Sequence, residues 1–422
     1  MGLCEPLVPG THFPRVEEEP WITVEELDER WPWETNHPSF DLPGDDPDAR
    51  PPAWALLEEQ VNNGFALLFT DADAASKYLG GPCHPAPLGN VVKVKDDGSL
   101  KHRLIQDLRA NGVNDAVRLT ERQVLPRGLD HGADLARLGA AALEGESVFT
   151  LVLDFKDAFM SVPLHRGEQR FNCANAGFRV QRTRRALIDD EPSEGTFVVW
   201  RTLGFGGRPN PLVFSRVASF AARSAQALLG TNVDAAAAQV PAPGFLELYV
   251  DDPVISVRAK PAEADATFDM VILWWLTLGL PLSWKKGSMS DGSVPHRWIG
   301  IEYTLTEAGA IMRLPPQFVK DLLQLIDPIC QTKGTIARGE LDVLIGKAAR
   351  VAFVVPAAKP FVAGLWGGLA AHPRGRIPHR RLCFAASWVK ALLSEDESCP
   401  LALERLVGPR PPLGSRSWRL VD

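Results

Sequence analysis

Two apolar, strand-like runs, far apart in the chain, each end in carboxylates, and that pairing limits what the chain can fold into more than any other feature. The first is Val148-Phe149-Thr150-Leu151-Val152-Leu153-Asp154. The second is Phe245-Leu246-Glu247-Leu248-Tyr249-Val250-Asp251-Asp252, with another β-prone run, Val254-Ile255-Ser256-Val257, just beyond. An ionised Asp at the buried end of a strand is costly unless something compensates its charge. Two such strand ends side by side suit a pair of divalent cations about 3.5–4 Å apart, an arrangement used in phosphoryl transfer. Adjacent carboxylates in one extended strand point to opposite faces. A hairpin turn at Asp251-Asp252-Pro253 would break that alternation and let at least one face Asp154. The plainer reading is a charged turn after a buried strand, which describes most Asp-Asp pairs.

At 422 residues the chain is too long for one compact core, so two or three lobes are expected. Its 45% hydrophobic and 23% charged content is that of an ordinary globular protein. Six scattered cysteines (Cys4, Cys83, Cys173, Cys330, Cys383, Cys399) form no Cys-x-x-Cys pair. This argues against a structural zinc site or a disulfide framework and fits a reducing compartment. The longest apolar run, Val271 to Leu282, is too short for a bilayer, and the N-terminus lacks a signal pattern. An intracellular location with no membrane partner is expected. The net charge of −7 conceals an asymmetry: residues 1–60 hold fifteen acidic and three basic residues, a net of −12, which leaves +5 on the remainder. That excess has the sign a polyanion-binding body needs.

The pattern along the chain reads as α+β followed by a helical lobe. Residues 1–50 read as an acidic, low-order leader with one short helical stretch near Val24 to Trp31. Short helices are expected at 53–63 and 71–80. A β-hairpin is expected where Asn90 to Lys95 and Lys101 to Gln106 flank Asp96-Asp97-Gly98-Ser99. A helix over 133–143 precedes the Asp154 strand, and strands over 170–174 and 196–203 flank a polar excursion. A glycine-rich turn, Gly204-Phe205-Gly206-Gly207-Arg208-Pro209-Asn210-Pro211, opens a helix reaching about Leu229. An Ala-rich linker, Thr231 to Pro243, leads to the Asp251 hairpin. Beyond it lie a helix over 261–278 and short strands at 282–284 and 296–303. Helices are expected at 315–327, 338–351, 357–371 and 380–394.

In this order the motifs resemble the reverse transcriptases of retroelements, over roughly residues 82–305. Tyr249-Val250-Asp251-Asp252 is similar to the family's Tyr-x-Asp-Asp hairpin. Asp154-Phe155-Lys156-Asp157-Ala158-Phe159, with Val162-Pro163-Leu164, is similar to the segment bearing the first metal-binding Asp. Leu203 to Pro211, with Phe214-Ser215-Arg216, resembles the glycine turn and helix beneath the templating base. Arg103 to Arg109 and Asn114 resemble the fingers strand, and Trp298-Ile299-Gly300-Ile301-Glu302 resembles the primer-grip hairpin. The phrasing is similar to the branch near tyrosine-recombinase retrotransposons.

The resemblance implies a polymerase right hand. Residues 51–305 would be fingers and palm, 306–395 a helical thumb-like lobe, and 396–422 a tail similar to the cut-short start of another domain. It implies RNA-directed DNA polymerase activity, with an RNA or DNA template, a primer and deoxynucleoside triphosphates as partners. Two Mg2+ ions would be held by Asp154 and Asp251, with Asp252 and the backbone carbonyl of Phe155 completing the site. Catalysis of this kind is mostly positioning and charge stabilisation. Arg103, with Lys93 or Lys95 on the paired strand, would clamp the triphosphate, Arg by a bidentate fork and Lys as a point charge. Phe159 sits where the family has an aromatic gate against the 2′-hydroxyl. Gly206 would let the backbone approach a base pair, Phe205 would stack on it, and Lys285 or Lys286 would lie near the leaving pyrophosphate. Trp298 and Gly300 would shape the primer grip. Spaced basic residues on the last helices (Lys320, Lys333, Arg338, Lys347, Arg350, Lys359) suit a template–primer duplex.

Each of these features has a plainer reading. An aromatic after a strand is more often core, a Lys-Lys pair is usually solvated, and glycine-rich turns before helices are common. The rival functions are a catalytically silent, retroelement-derived fragment that binds nucleic acid and a different two-metal enzyme such as a nuclease. The aromatic gate and the primer-grip hairpin count against the nuclease.

Overall fold

The computed structural model describes residues 13–30, 35–44, 50–94, 98–181, 194–230, 243–331, 333–372, 374–394 and 403–408. The chain passes repeatedly between two compact units, the first made of Met1–Leu125, Phe155–Ala221 and Trp275–Leu282, the second of Pro126–Asp154, Ala222–Trp274 and Ser283–Asp422. Lys95, the middle of the polar excursion (182–193), the linker (231–242) and most of the tail (396–402 and 409–422) lie outside the described residues.

The first unit is built on a three-stranded antiparallel sheet with Glu194–Trp200 between Ala66–Phe69 and Cys173–Gln181. Alternation along the strands feeds two cores. Leu68, Val198 and Trp200 pack with Leu57 and Val61, whereas Leu67, Phe197 and Val199 pack with Ala75 and Leu79. Helix Pro52–Asn62 buries Ala53, Leu57 and Val61, a spacing of four that places them on one face. Helix Ala72–Leu79 starts at Asp71, whose carboxylate accepts from the Ala74 N–H, and stops at Gly80 in the left-handed region. The basic hairpin pairs Leu88–Val94 with Leu100–Gln106. Its base is anchored by buried Leu88 and Leu104, while Lys93, Val94 and Leu100 are exposed.

The described parts of residues 1–50 depart from the low-order leader expected there. Arg15–Glu18 pairs antiparallel with Leu119–Glu121. Thr23 and Glu26 form a capping box that starts the short helix Val24–Asp28. Leu27 and Phe40 are fully buried, and Asp28 binds both His84 and Arg170 at 2.8 Å. The short helix falls where one was expected, near Val24 to Trp31, but the burial of Leu27 and Phe40 against the unit was not expected from so acidic a composition.

The second unit carries two four-stranded antiparallel sheets. In the first, the order is Ser288–Ser290, Ser147–Val152, Asp252–Ala259, Gly244–Tyr249, and Val254 lies opposite Val152. The second runs His296–Trp298, Ile301–Thr306, Gly309–Arg313, Glu404–Val407. Helix Gly128–Ala140, longer at its start than the expected 133–143, lays Gly132 against Met312 and Val407. The strand expected at 282–284 is absent. Leu282 makes one isolated bridge to Phe155, and Trp284–Lys286 is a single 3-10 turn.

Helices Pro316–Ile326, Arg338–Val354, Lys359–Ala370 and Cys383–Leu393 share one core around Leu322, Leu344, Ile345, Leu365 and Val389. Among the described residues no helix is long and apolar enough to cross a membrane.

Candidate active site

Val250 and Asp251 alone join strands Gly244–Tyr249 and Asp252–Ala259, with Tyr249 and Asp252 as the closing pair. The turn therefore lies earlier than the Asp251-Asp252-Pro253 turn expected from sequence. Val250 has φ of 58°, a position that suits glycine and is strained for a β-branched residue. Pro253 sits within the strand and its carbonyl accepts from the Leu153 N–H at 3.0 Å. Its missing donor falls just before the pairing with Ser147–Val152 begins at Val254, so little of the ladder is lost.

The hairpin brings its carboxylates to Asp154. Burial, then the charges of Asp251 and Asp154, push the Asp252 carboxyl up to about 6, and Lys286 works in the opposite direction. The main chain of Asp154 is held by the Ser283 N–H, which donates to its carbonyl at 2.8 Å. Lys286 Nζ donates to Asp154 Oδ2 at 2.5 Å. Of the two adjacent lysines, it is thus Lys286 that meets the carboxylates. Lys285, the other sequence candidate, lies on the same 3-10 turn, and both residues are exposed.

Among the described residues no group of three or more His, Cys, Asp and Glu side chains is arranged as a ready-made metal cage. The donor set nevertheless fits a hard divalent cation. Burial and the neighbouring carboxylates raise the Asp252 carboxyl, and an ammonium partly offsets their charge.

Trp298 is fully buried, and its Nε1–H donates to the carbonyl of Asp252 at 3.0 Å. The candidate primer-grip residue thus ties directly to the main chain of the carboxylate hairpin. The turn after it, Ile299-Gly300, has φ of 43° and 76°, the double positive φ of a type I′ hairpin. A Cβ on Gly300 would lie 2.4 Å from Arg350 Nη1.

The remaining candidates belong to the first unit. Phe155 is buried edge-on against Trp275 at 5.1 Å, so only its main chain remains for a ligand role. Phe159 meets Phe205 at 5.6 Å and Phe214 at 5.7 Å, both nearly perpendicular. Arg103 is exposed on its hairpin strand, opposite Val91. Gly206 answers to a protein neighbour: at φ 126°, its Cβ would lie 1.8 Å from the Gln106 carbonyl oxygen. Asn114 clamps the same turn, its Nδ2 donating to the Gly206 carbonyl at 2.9 Å and its Oδ1 accepting from the Arg208 N–H at 2.8 Å.

Sequence reasoning missed a buried polar cluster in the second unit. His131 Nδ1 lies 2.9 Å from Glu247 Oε2, and its Nε2 lies 2.9 Å from His296 Nε2. Burial drives both imidazoles far down, to about 3, and so keeps them neutral. Burial raises the Glu247 carboxyl, and burial together with the Glu247 charge raises that of Asp134. The available signal was a lone Glu inside an apolar strand.

Residues 99–303 match the family model described as reverse transcriptase (RNA-dependent DNA polymerase). The chain contains a reverse transcriptase domain. Its α+β polymerase fold is shared with the foamy viral protease-reverse transcriptase dRH, solved in complex with double-stranded DNA. That structure has a TM-score of 0.51 and 17% sequence identity, with 90% of this chain and 53% of that one covered. The foamy viral protease-reverse transcriptase in complex with an RNA/DNA hybrid gives a TM-score of 0.49 at 14% identity, with 90% and 41% covered. The chain thus spans about half the length of these viral proteins. None of the curated proteins matches the sequence. The reverse transcriptase domain includes every candidate residue outside the helical lobe except Lys95 and Lys93.

Proposed function

We propose that this chain catalyses template-directed DNA synthesis, adding deoxynucleotides to a primer 3′-hydroxyl on an RNA or DNA template. The observation that carries the reading is the meeting of the two strand ends at Asp252, whose carboxyl is raised by burial and then by the charges of Asp251 and Asp154. Two strand ends distant in sequence thus supply one concentrated negative site, which suits the Mg2+ ions of nucleotidyl transfer.

Asp154 and Asp251 would hold two Mg2+ ions, with Asp252 and the Phe155 carbonyl as further oxygen donors. When bound, the ions supply Lewis acidity toward the 3′-hydroxyl and the triphosphate. Trp298 holds the Asp252 main chain and so fixes where the carboxylates stand. Lys286 keeps a positive charge beside them, where a leaving pyrophosphate needs one. Arg103, with Lys93 or Lys95, binds the triphosphate through bidentate and point-charge contacts. Phe159 selects against a 2′-hydroxyl, Phe205 and Gly206 bear on the templating base, and Gly300 with Trp298 lines the primer path.

Primer extension on poly(rA)·oligo(dT) with dTTP and MgCl2 tests this reading. The parent should extend the primer, and Asp251→Asn should lose about 100-fold or more, the scale expected when a metal-holding carboxylate is removed. Equal incorporation by the two overturns the catalytic assignment. A parent that binds the duplex without extending it favours the silent, nucleic-acid-binding fragment.

A further inference from the structure

We propose that His131 is a positioning residue for the carboxylate hairpin. Held between Glu247 and His296, it fixes the Trp298 indole whose N–H carries the main chain of Asp252. The functional half of this inference rests on the polymerase reading. The structural half does not.

His131 is fully buried on helix Gly128–Ala140, and both its ring nitrogens have partners at 2.9 Å. One partner, Glu247, lies on the outgoing strand of the hairpin opposite Val254. The other, His296, is two residues before Trp298 on the same strand and therefore shares its face. The His131 ring meets Trp298 at 5.1 Å and Tyr303 at 4.8 Å, both edge-on. His296 stacks on Tyr303 at 5.3 Å, and the Tyr303 hydroxyl donates to the Gly128 carbonyl at 3.1 Å. One imidazole thus bonds the outgoing strand through Glu247 and wedges the indole that bonds the returning strand through Asp252.

Two considerations make this more than a satisfied core histidine. A buried polar network is seldom the most stabilising way to fill such a space, since apolar side chains of similar volume often do as well or better, but it specifies one geometry. The hairpin also needs external restraint, because Val250 sits at φ 58°. A strained turn persists only where its surroundings over-determine it.

The test uses the full chain and two readouts. Hydrogen–deuterium exchange should show the peptide covering 245–256 exchanging at least about tenfold faster in His131→Phe, because a hairpin-specific opening of ~1.4 kcal/mol corresponds to that factor. Peptides from the first unit should be unchanged, and the melting temperature should stay within a few degrees. Steady-state rates per titrated active site should fall at least about tenfold in kcat, with the KM for dTTP nearly constant. Glu247→Gln, which keeps a hydrogen-bonding partner for His131, should restore nearly parental behaviour. His296→Phe keeps a ring on Tyr303 and serves if His131→Phe does not fold. Unchanged exchange in the hairpin, or uniformly faster exchange across the chain, overturns the proposal. A parent that is inert in primer extension, with the hairpin effect intact, removes the polymerase reading and leaves the positioning role standing.

Discussion

Lys286 Nζ donates to Asp154 Oδ2 at 2.5 Å, so an ammonium stands beside the carboxylates to which the polymerase reading assigns the divalent ions. The contact comes from a single 3-10 turn, Trp284–Lys286, on which both lysines are exposed. The Lys286 charge opposes the upward push on Asp252. On the polymerase reading, lysine and cation would therefore compete for one cluster of negative charge.

Lys286→Met should consequently strengthen cation binding while weakening the metal-free protein. Without divalent ions, the loss of this partly exposed pair should cost about 1 kcal/mol or less. Added MgCl2 should then raise the melting temperature more in the variant than in the parent. Scanning fluorimetry across an MgCl2 series, with EDTA as the starting point, reads both effects. An equal or smaller Mg2+ response in the variant would remove the competition.

The buried acids give a pH dependence with a definite sign. In the folded state Glu247 is raised from 4.5 to about 8, so between those values it keeps a proton that the unfolded chain has released. The folded state then binds more protons, and stability falls as pH rises. His131 and His296, lowered to about 3, act in the opposite direction, but only up to the unfolded value of 6.5. From pH 6.5 to 8 the acids act without that opposition. Urea unfolding at several pH values should show the parent losing about 1–2 kcal/mol more over this window than Glu247→Gln. Parallel curves for the two proteins would contradict the assignment.

Gly206→Ala should destabilise the first unit strongly, because the added methyl would fall 1.8 Å from a main-chain oxygen at a φ of 126°. A loss of about 3 kcal/mol or more is expected when backbone must shift at a strained position. Asn114→Ala, which removes both clamps on the turn, should cost roughly 1–3 kcal/mol. Denaturant titration measures both, and the order of the two effects is part of the prediction.

Phe159→Val should admit ribonucleotides while leaving DNA synthesis measurable. Phe159 packs edge-on against Phe205 and Phe214, so the smaller side chain also loosens Phe205. The ratio of kcat/KM for dTTP over UTP should fall by at least about tenfold, the discrimination expected from a steric contact of a few heavy atoms. An unchanged ratio would leave Phe159 as core alone.

Much of the fold was legible because its signals are local. Strands Ser147–Val152 and Asp252–Ala259 are apolar and β-branched, and helix Pro52–Asn62 repeats buried residues every fourth position. The carboxylates at these strand ends and the glycine turn before Asn210 were equally plain from order and spacing, whereas the Ile299-Gly300 turn, which splits the strand expected over 296–303, was implied only by the family resemblance. The short helix Val24–Asp28 was legible too, but the burial of its Leu27 and of Phe40 in the first unit was not, since one apolar residue in an acidic stretch does not report what it packs against.

Sequence by itself determined which residue types stand at the candidate site: Asp154, Asp251 and Asp252 at strand ends, and a tryptophan before a glycine turn. Only the tertiary structure decided how they are used. It moved the hairpin turn to Val250-Asp251, chose Lys286 over Lys285, and made Gly206 answer to the Gln106 carbonyl. It also joined Trp298 to Asp252 and placed His131 between Glu247 and His296. Local pattern reports a residue's own backbone and burial. These contacts are set by partners up to 165 positions away, whose proximity exists only once the sheets have paired.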